Sequence, residues 1–439
     1  MQSNNFTSFS FRQELHTVLE KLHFHQPTGI QEKIIPAILS GESVIGQSQT
    51  GSGKTHAFLL PIFNLLDESK QGVQFVITSP TRELATQIYN EVKKMIQYAN
   101  KEGKWTTRLL VGGTDKQRMI DKLTDPPHII VGTPGRILDL VQEGVISIFS
   151  ARSFVIDEAD LMLDLGLIKE IDQLLVRCNQ AIQVLVFSAT IPQKMQPFLK
   201  KYLSGPIHVK MDQVLSPETM EHRLIHRKHR EEADVIMEIS QAINPYIAII
   251  FTNGREQADK LSNALLQRGL EVGILHGGLP ARERKRALKE IQNLRYQYIV
   301  ATDLAARGIH IEGVSHVINA QLPKQVEFYI HRVGRTARAG MEGTAISLYT
   351  EEDLVLIEKL EEQGLKFTFS NIKNGSWVED KHWNRRNIRK KTDKSLEEEA
   401  WRRVPKAKKV KPGYRKKMKQ QQQQIKRQLS NQTKRNYKK

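Results

Sequence analysis

One cysteine, Cys178, is the only thiol in 439 residues. That excludes an intramolecular disulfide framework and any cysteine-built zinc site, and Cys178 itself is expected to be an ordinary helix residue. Long apolar runs are missing too. Nothing approaches the ~18 consecutive apolar residues of a membrane helix, and no secretory leader opens the chain, so a soluble, cytoplasmic protein with no membrane and no zinc partner is expected. Acidic residues run out near the C-terminus. Between Lys381 and Lys439 stand 23 Lys and Arg against 4 Asp and Glu, a surplus of 19, while the residues before Lys381 sum to −1. The formal net charge of +18 is therefore a property of the tail.

That tail, residues 371–439, is also poor in apolar residues and carries a glutamine run at 420–424. It cannot bury enough surface to fold alone, and disorder is predicted. Its cations can neutralise phosphates, and Trp383, Trp401, Tyr414 and Tyr437 can stack on bases, which suits a nucleic-acid-binding arm.

The chemistry lies upstream. Ser48-Gln49-Thr50-Gly51-Ser52-Gly53-Lys54-Thr55 follows the apolar Val44-Ile45 and precedes the helical rhythm of Ala57-Phe58-Leu59-Leu60. Strand, glycine-rich loop and helix are the context of a phosphate-binding loop. Gly51 and Gly53 let backbone N–H groups turn inward, the helix start adds partial positive charge, Lys54 reaches terminal phosphates, and Thr55 offers Mg²⁺ a hydroxyl. Asp157-Glu158-Ala159-Asp160 closes the apolar run Phe154-Val155-Ile156, which predicts Asp157 at the carboxyl end of a buried strand. Asp157 would then hold the Mg²⁺ of a nucleoside triphosphate, Glu158 would handle the attacking water, and Asp160 would couple the pocket to the rest of the chain.

Short apolar runs alternate with helical stretches in two successive sets. The first holds Val44-Ile45, 75–77, 109–111, 129–131, 154–156 and 184–187, and the second 247–251, 272–275, 299–300, 317–318 and 345–348. Continuous apolar strands between helices predict parallel sheets covered on both faces, hence two doubly wound α/β domains. The expected limits are 1–212 and 221–370, with a linker at 213–220 and the tail from 371. The second domain has no second phosphate loop. It carries His331-Arg332-Val333-Gly334-Arg335-Thr336-Ala337-Arg338, in which Arg335 and Arg338, three apart, would share one side of a helical turn and stabilise charge on a γ-phosphate.

In this order and spacing the motifs resemble those of the DEAD-box ATP-dependent RNA helicases of superfamily 2, from about Phe6 to about Tyr349. The resemblance implies two tandem RecA-like domains, ATP and Mg²⁺ as cofactors, and single-stranded and short duplex RNA as substrate. It further implies that Phe6, Phe24 and Gln31 read adenine, with Ser48, Gln49, Thr50, Gly51, Ser52, Gly53, Lys54, Thr55 and Asp157 also holding nucleotide. Pro80, Thr81, Arg82, Gly112, Gly113, Thr133, Pro134, Gly135, Arg136 and Thr302 would contact the RNA backbone. Asp160, Ser188, Thr190 and His331 would link hydrolysis to strand separation. Lys54, Asp157, Glu158, Arg335 and Arg338 would be catalytic. Ribosome assembly, RNA decay or cold adaptation is the expected setting, in complexes of those kinds, and the bacterial cold-shock helicases are the subgroup most similar.

Four positions depart from the family pattern: His310 stands for an Asp that holds ribose, His23 and Ala337 for Gly, and Ser48 for Ala. Two other readings stay open on sequence alone, a non-catalytic RNA clamp and a DNA translocase. Intact Lys54, Glu158 and arginines disfavour the first, and Gln31 with the Asp-Glu-Ala-Asp segment disfavours the second.

Overall fold

The computed structural model describes residues 5–49, 51–113, 115–123, 125–211, 219–306, 311, 313–337, 342–380, 400, 403, 418 and 421–425. Thr50, His310 and Arg338 lie outside them, as does most of the expected tail. The chain divides into two compact units, residues 1–368 and 369–439.

The first unit holds two parallel-sheet α/β domains. Strands β1 (Val44–Gln47), β2 (Phe75–Thr78), β3 (Thr107–Leu110), β4 (Ile129–Gly132), β5 (Ser153–Ile156), β6 (Gln183–Ser188) and β7 (Ile207–Lys210) form one sheet in the order β3-β4-β2-β5-β6-β1-β7. Every neighbouring pair in it is parallel. Alternate residues of one strand feed two different cores: Val155, Leu185 and Phe187 pack on one face, Phe154, Ile156, Val184 and Val186 on the other. The sheet is therefore covered on both faces, which is why its strands read as unbroken apolar runs. Each such side chain contributes roughly 1.5–3 kcal/mol by leaving water.

The second domain repeats the plan with β8 (Met220–His226), β9 (Ile247–Thr252), β10 (Val272–Leu275), β11 (Tyr298–Thr302), β12 (Val314–Asn319) and β13 (Gly343–Tyr349). They run in the order β10-β11-β9-β12-β13-β8, all neighbours parallel. Two strands lie where the apolar runs gave no signal. β7 sits at a sheet edge with only Val209 buried, and β8 alternates buried with half-buried residues through Met-Glu-His-Arg. β8 also begins at Met220, inside the span expected as linker.

One boundary moves further. Residues 371–379, expected to open the disordered tail, belong to an antiparallel hairpin of Thr368–Lys373 and Ser376–Glu379, with Lys373 opposite Ser376. The cause is local. Asn374 and Gly375 have φ of +50° and +71°, the left-handed pair that a tight two-residue hairpin turn requires.

Topology places the chemistry. β6 separates β1 from β5, so the loop after β1, the acidic segment after β5 and Ser188 at the end of β6 leave the sheet side by side at its carboxyl edge. Open α/β sheets bind ligands there.

Candidate functional site: a phosphate loop and an acidic strand end between two domains

The phosphate loop is tied to itself. Lys54, at the start of the helix Lys54–Leu65, is buried and donates from Nζ to the Ser48 carbonyl at 2.7 Å, and its Nζ stands 3.9 Å from Glu158 Oε1. Ser48 and Ser52 share a hydroxyl hydrogen bond of 2.7 Å, and Ser52 Oγ reaches the Gln49 carbonyl at 2.8 Å. Gly51 and Gly53 have φ of +88° and +92°, as a loop that turns its N–H groups inward demands. Thr55 follows Lys54 on the same helix and is half-buried.

Asp157 directly follows β5 and is 4% exposed. Burial pushes its carboxyl up to about 7, the neighbouring Glu158 adds to the rise, and Lys54 opposes it. Glu158 has φ of +50° and ψ of +53°, a left-handed backbone that costs a non-glycine residue about 1–2 kcal/mol. Strain of this kind gathers at functional sites.

Asp160 is the junction of the site. Its backbone N–H donates to Ser188 Oγ at 3.0 Å, and its Oδ2 accepts from the backbone N–H and hydroxyl of Thr190 at 3.0 and 2.9 Å. From the second domain, His331 Nε2 stands 4.0 Å from the same oxygen. Burial alone would raise this carboxyl, but His331, Lys54 and the bonds from Thr190 and Ser188 hold it below the usual range. A cavity of about 630 Å³ opens beside it between the domains, with Gln49, Gly51 and Ser52 on one side and His331, Gly334 and Ala337 on the other.

Gln31 Oε1 accepts the Thr28 backbone N–H at 2.9 Å, and Gln31 Nε2 donates to the Gly53 carbonyl at 3.1 Å. The side chain thus braces the phosphate loop from the helix Gly29–Leu39. A Cβ on Gly53 would stand 2.8 Å from Gln31 Nε2, so this close approach needs glycine. Phe6 is 3% exposed and stacks on Phe24 at 6.4 Å and 15°.

The arginine segment differs from expectation. The helix Val326–Val333 ends at Gly334, and Ala337 turns left-handed at φ +52°, so Arg335 sits in a turn rather than on a continuing helix. Arg335 is buried and donates to the His331 carbonyl at 3.3 Å. The fully buried guanidinium is Arg332, which sequence reasoning left without a role. It forks onto Asp303 at 2.5 and 2.7 Å and reaches Asn253, Asn319 and the Gln321 carbonyl. The signal was the inward stripe Tyr329, Arg332 and Val333 at helical spacing. Cys178 lies just past the helix Ile168–Leu175 rather than in it, and burial pushes its thiol up to about 12.

The segments expected at RNA converge in part. Arg82 lies across Gly112 and Gly113, where a Cβ on Gly113 would stand 1.9 Å from Arg82 Nη1. Thr81 caps the helix Arg82–Tyr98 by accepting the Leu84 N–H at 3.2 Å. Pro80 is buried just before it. Thr133 and Pro134 open the helix Pro134–Gln142, and the space around Gly135 is open. Arg136 Nε stands 3.9 Å from Asp139. Thr302 ends β11 in the other domain, buried beside Asp303. No single-sequence signal marks a further pair, Glu83 and Arg284, because its members come from different domains.

Residues 28–198 match the DEAD/DEAH box helicase family and residues 231–340 the helicase conserved C-terminal domain. The chain belongs to the DEAD-box ATP-dependent RNA helicases. It is 48% identical over 438 residues to the DEAD-box ATP-dependent RNA helicase CshB of Bacillus subtilis, covering 99% of each chain. Against CshB of Listeria monocytogenes it is 46% identical, over 97% of this chain and 98% of that one. Among solved structures, S. cerevisiae Dbp5 bound to RNA and ADP BeF3 aligns with a TM-score of 0.75 at 28% identity, covering 89% of this chain and 99% of that chain. Mss116p bound to ssRNA and AMP-PNP aligns with 0.72 at 26%, covering 91% and 85%. Among the described residues no helix is long and apolar enough to cross a membrane.

Proposed function

We propose that this protein hydrolyses ATP in the cleft between its two domains and uses the cycle to open or remodel short RNA duplexes. The observation that carries the reading is Asp160: its backbone N–H holds Ser188 on the phosphate-loop side of the first domain, and its carboxylate joins Thr190 there to His331 of the second. A nucleotide that draws the domains together is felt there, and so is its loss.

The residues have separable tasks. Lys54 would exchange the Ser48 carbonyl for the terminal phosphates at the head of the helix it opens. Glu158 takes the proton of the attacking water. Arg335 and Arg338 bring positive charge from the second domain to the γ-phosphate. Phe6, Phe24 and Gln31 hold the adenine side, and Arg82, Gly112, Gly113 and Gly135 hold the sugar-phosphate chain through charge and open backbone, which positions RNA without reading its sequence.

Mg²⁺ fits the donor set. Asp157 and Glu158 are adjacent acids; burial first and then Glu158 raise the Asp157 carboxyl to about 7, with Lys54 as its partial counterweight, and a hard cation beside it would favour the ionised form. Thr55 and Asp157 would hold it, and among the described residues no cluster of three or more His, Cys, Asp or Glu forms an all-protein cage. That is the usual situation of a cation carried in on substrate phosphates. When bound, it neutralises developing phosphate charge.

The cytoplasmic setting, and work in ribosome assembly, RNA decay or cold adaptation, belong to this proposal. Steady-state ATP hydrolysis without nucleic acid, with single-stranded RNA and with single-stranded DNA tests it. Stimulation by RNA alone is expected; turnover unaffected by RNA would sink it, and equal stimulation by DNA would favour a DNA translocase.

A further inference from the structure

His56, two residues beyond Lys54, has no part in the chemistry described so far. Its ring meets Phe24 edge to face, with centroids 4.8 Å apart at 86°. Phe24 in turn lies against Phe6, and Phe6 meets Phe9 at 6.1 Å and 62°. The aromatic pair on the adenine side is thus wedged between Phe9 and His56. His56 is itself fixed from behind: Nε2 lies 3.0 Å from Glu91 Oε1, with side chains only 17% and 25% exposed. The hydrogen bond from His56 is also the main reason the Glu91 carboxyl sits below its usual range.

We propose that His56 is a positioning residue for the adenine ring. It rides on the helix that begins at the phosphate loop, so its contact with Phe24 fixes the distance between the base-stacking rings and the phosphates. Glu91 sits on the helix Arg82–Tyr98, whose first turn carries the RNA-facing Arg82, and it sets the plane of the imidazole. An edge-to-face ring contact is worth about 2- to 10-fold in an equilibrium. The inference rests on the ATP reading above.

The test uses full-length protein and two variants. His56→Gln keeps a donor for Glu91 but loses the ring, and His56→Phe keeps the ring but loses the donor. For His56→Gln the KM for ATP is expected to rise by about 2- to 10-fold, with kcat at saturating ATP, thermal midpoint and inhibition by inorganic tripolyphosphate held at wild-type values. His56→Phe is expected to keep the wild-type KM. An unchanged KM in His56→Gln overturns the proposal. So does loss of tripolyphosphate binding in parallel with ATP, which would make His56 a support of the phosphate loop, and so does equal weakening of both variants, which would leave no role for the ring. Wild-type protein without RNA-stimulated turnover would instead fail the underlying reading, so the two failures are distinct.

Discussion

Arg284 Nε stands 2.6 Å from Glu83 Oε1, joining the helix Ala281–Gln292 of the second domain to the first turn of the helix Arg82–Tyr98 in the first. The side chains are 16% and 18% exposed, and Nε–H makes no aligned hydrogen bond, so the contact is a largely desolvated ion pair. Breaking such a pair strands a charge, unlike loss of an exposed one. Glu83→Gln and Arg284→Ala are each expected to weaken RNA binding in the presence of ATP analogue, with ATP binding alone unchanged. A double-mutant cycle on RNA affinity should give a coupling of about 0.5–3 kcal/mol. Strictly additive effects would show that the pair does not hold the domains together.

Glu158→Gln removes the proposed proton acceptor and keeps the shape. Turnover is expected to fall by about 100- to 10,000-fold while ATP and RNA still bind, trapping a long-lived ternary complex. ATP hydrolysis within a few-fold of wild type would remove Glu158 from the mechanism.

Asp157 gives a pH dependence with a definite sign. Its folded carboxyl lies near 7, above the value of 3.8 for a free side chain. A raised acid favours the folded state while protonated, so that contribution is intact below about pH 4 and is lost as pH climbs through about 7. Asp157→Asn cannot ionise. In nucleotide-free protein its thermal midpoint should match wild type near pH 4, exceed it increasingly up to about pH 7 and level off above that. A pH-independent difference would mean that Asp157 is not held as an acid.

Two family departures coincide with left-handed backbone. His23, at φ +56°, ends the helix Gln13–Lys21: its N–H reaches the Glu20 carbonyl and the Phe24 N–H reaches the Leu19 carbonyl, the bonding pattern of a glycine-terminated helix. Ala337, at φ +52°, makes the turn beside Arg335. His23→Gly and Ala337→Gly should each stabilise the fold by about 0.5–1 kcal/mol after the added freedom of the unfolded chain is discounted. Scanning calorimetry decides; lowered midpoints would show that the native side chains return more in packing than the backbone loses.

Truncation after Asp380 removes the basic surplus of 19. RNA affinity should drop and its salt dependence flatten by roughly 0.7 in logarithmic slope for each lost phosphate contact, with maximal ATP hydrolysis kept. Identical slopes across a salt series would make the tail a solubility or protein-binding segment.

The strands that sequence revealed are the doubly covered ones. Val155 and Ile156 face opposite cores, so nothing polar interrupts the run. β7 and β8 escaped because an edge strand and a half-buried strand carry polar residues such as His208 and Arg223 that an apolar count discards. The hairpin was hidden by the low apolar content of the segment, yet Asn374-Gly375 is a turn signal independent of hydrophobicity. Residues of the site were legible where a backbone shape demands a residue type, as at Gly51 and Gly53. The Arg332–Asp303 fork and the Arg284–Glu83 pair were not, because their partners are distant in sequence and only the folded chain brings them together.

The left-handed turn at Glu158 sets a limit on how this protein can be improved. Glycine, or asparagine with its short polar side chain, fits that backbone better than glutamate does. A screen for heat resistance alone would therefore reward replacements at 158, and each winner would be a sturdier protein without the proposed base for the water. Any programme of stabilisation has to exempt that position and look for its gains at His23 instead, where the left-handed backbone closes a helix end.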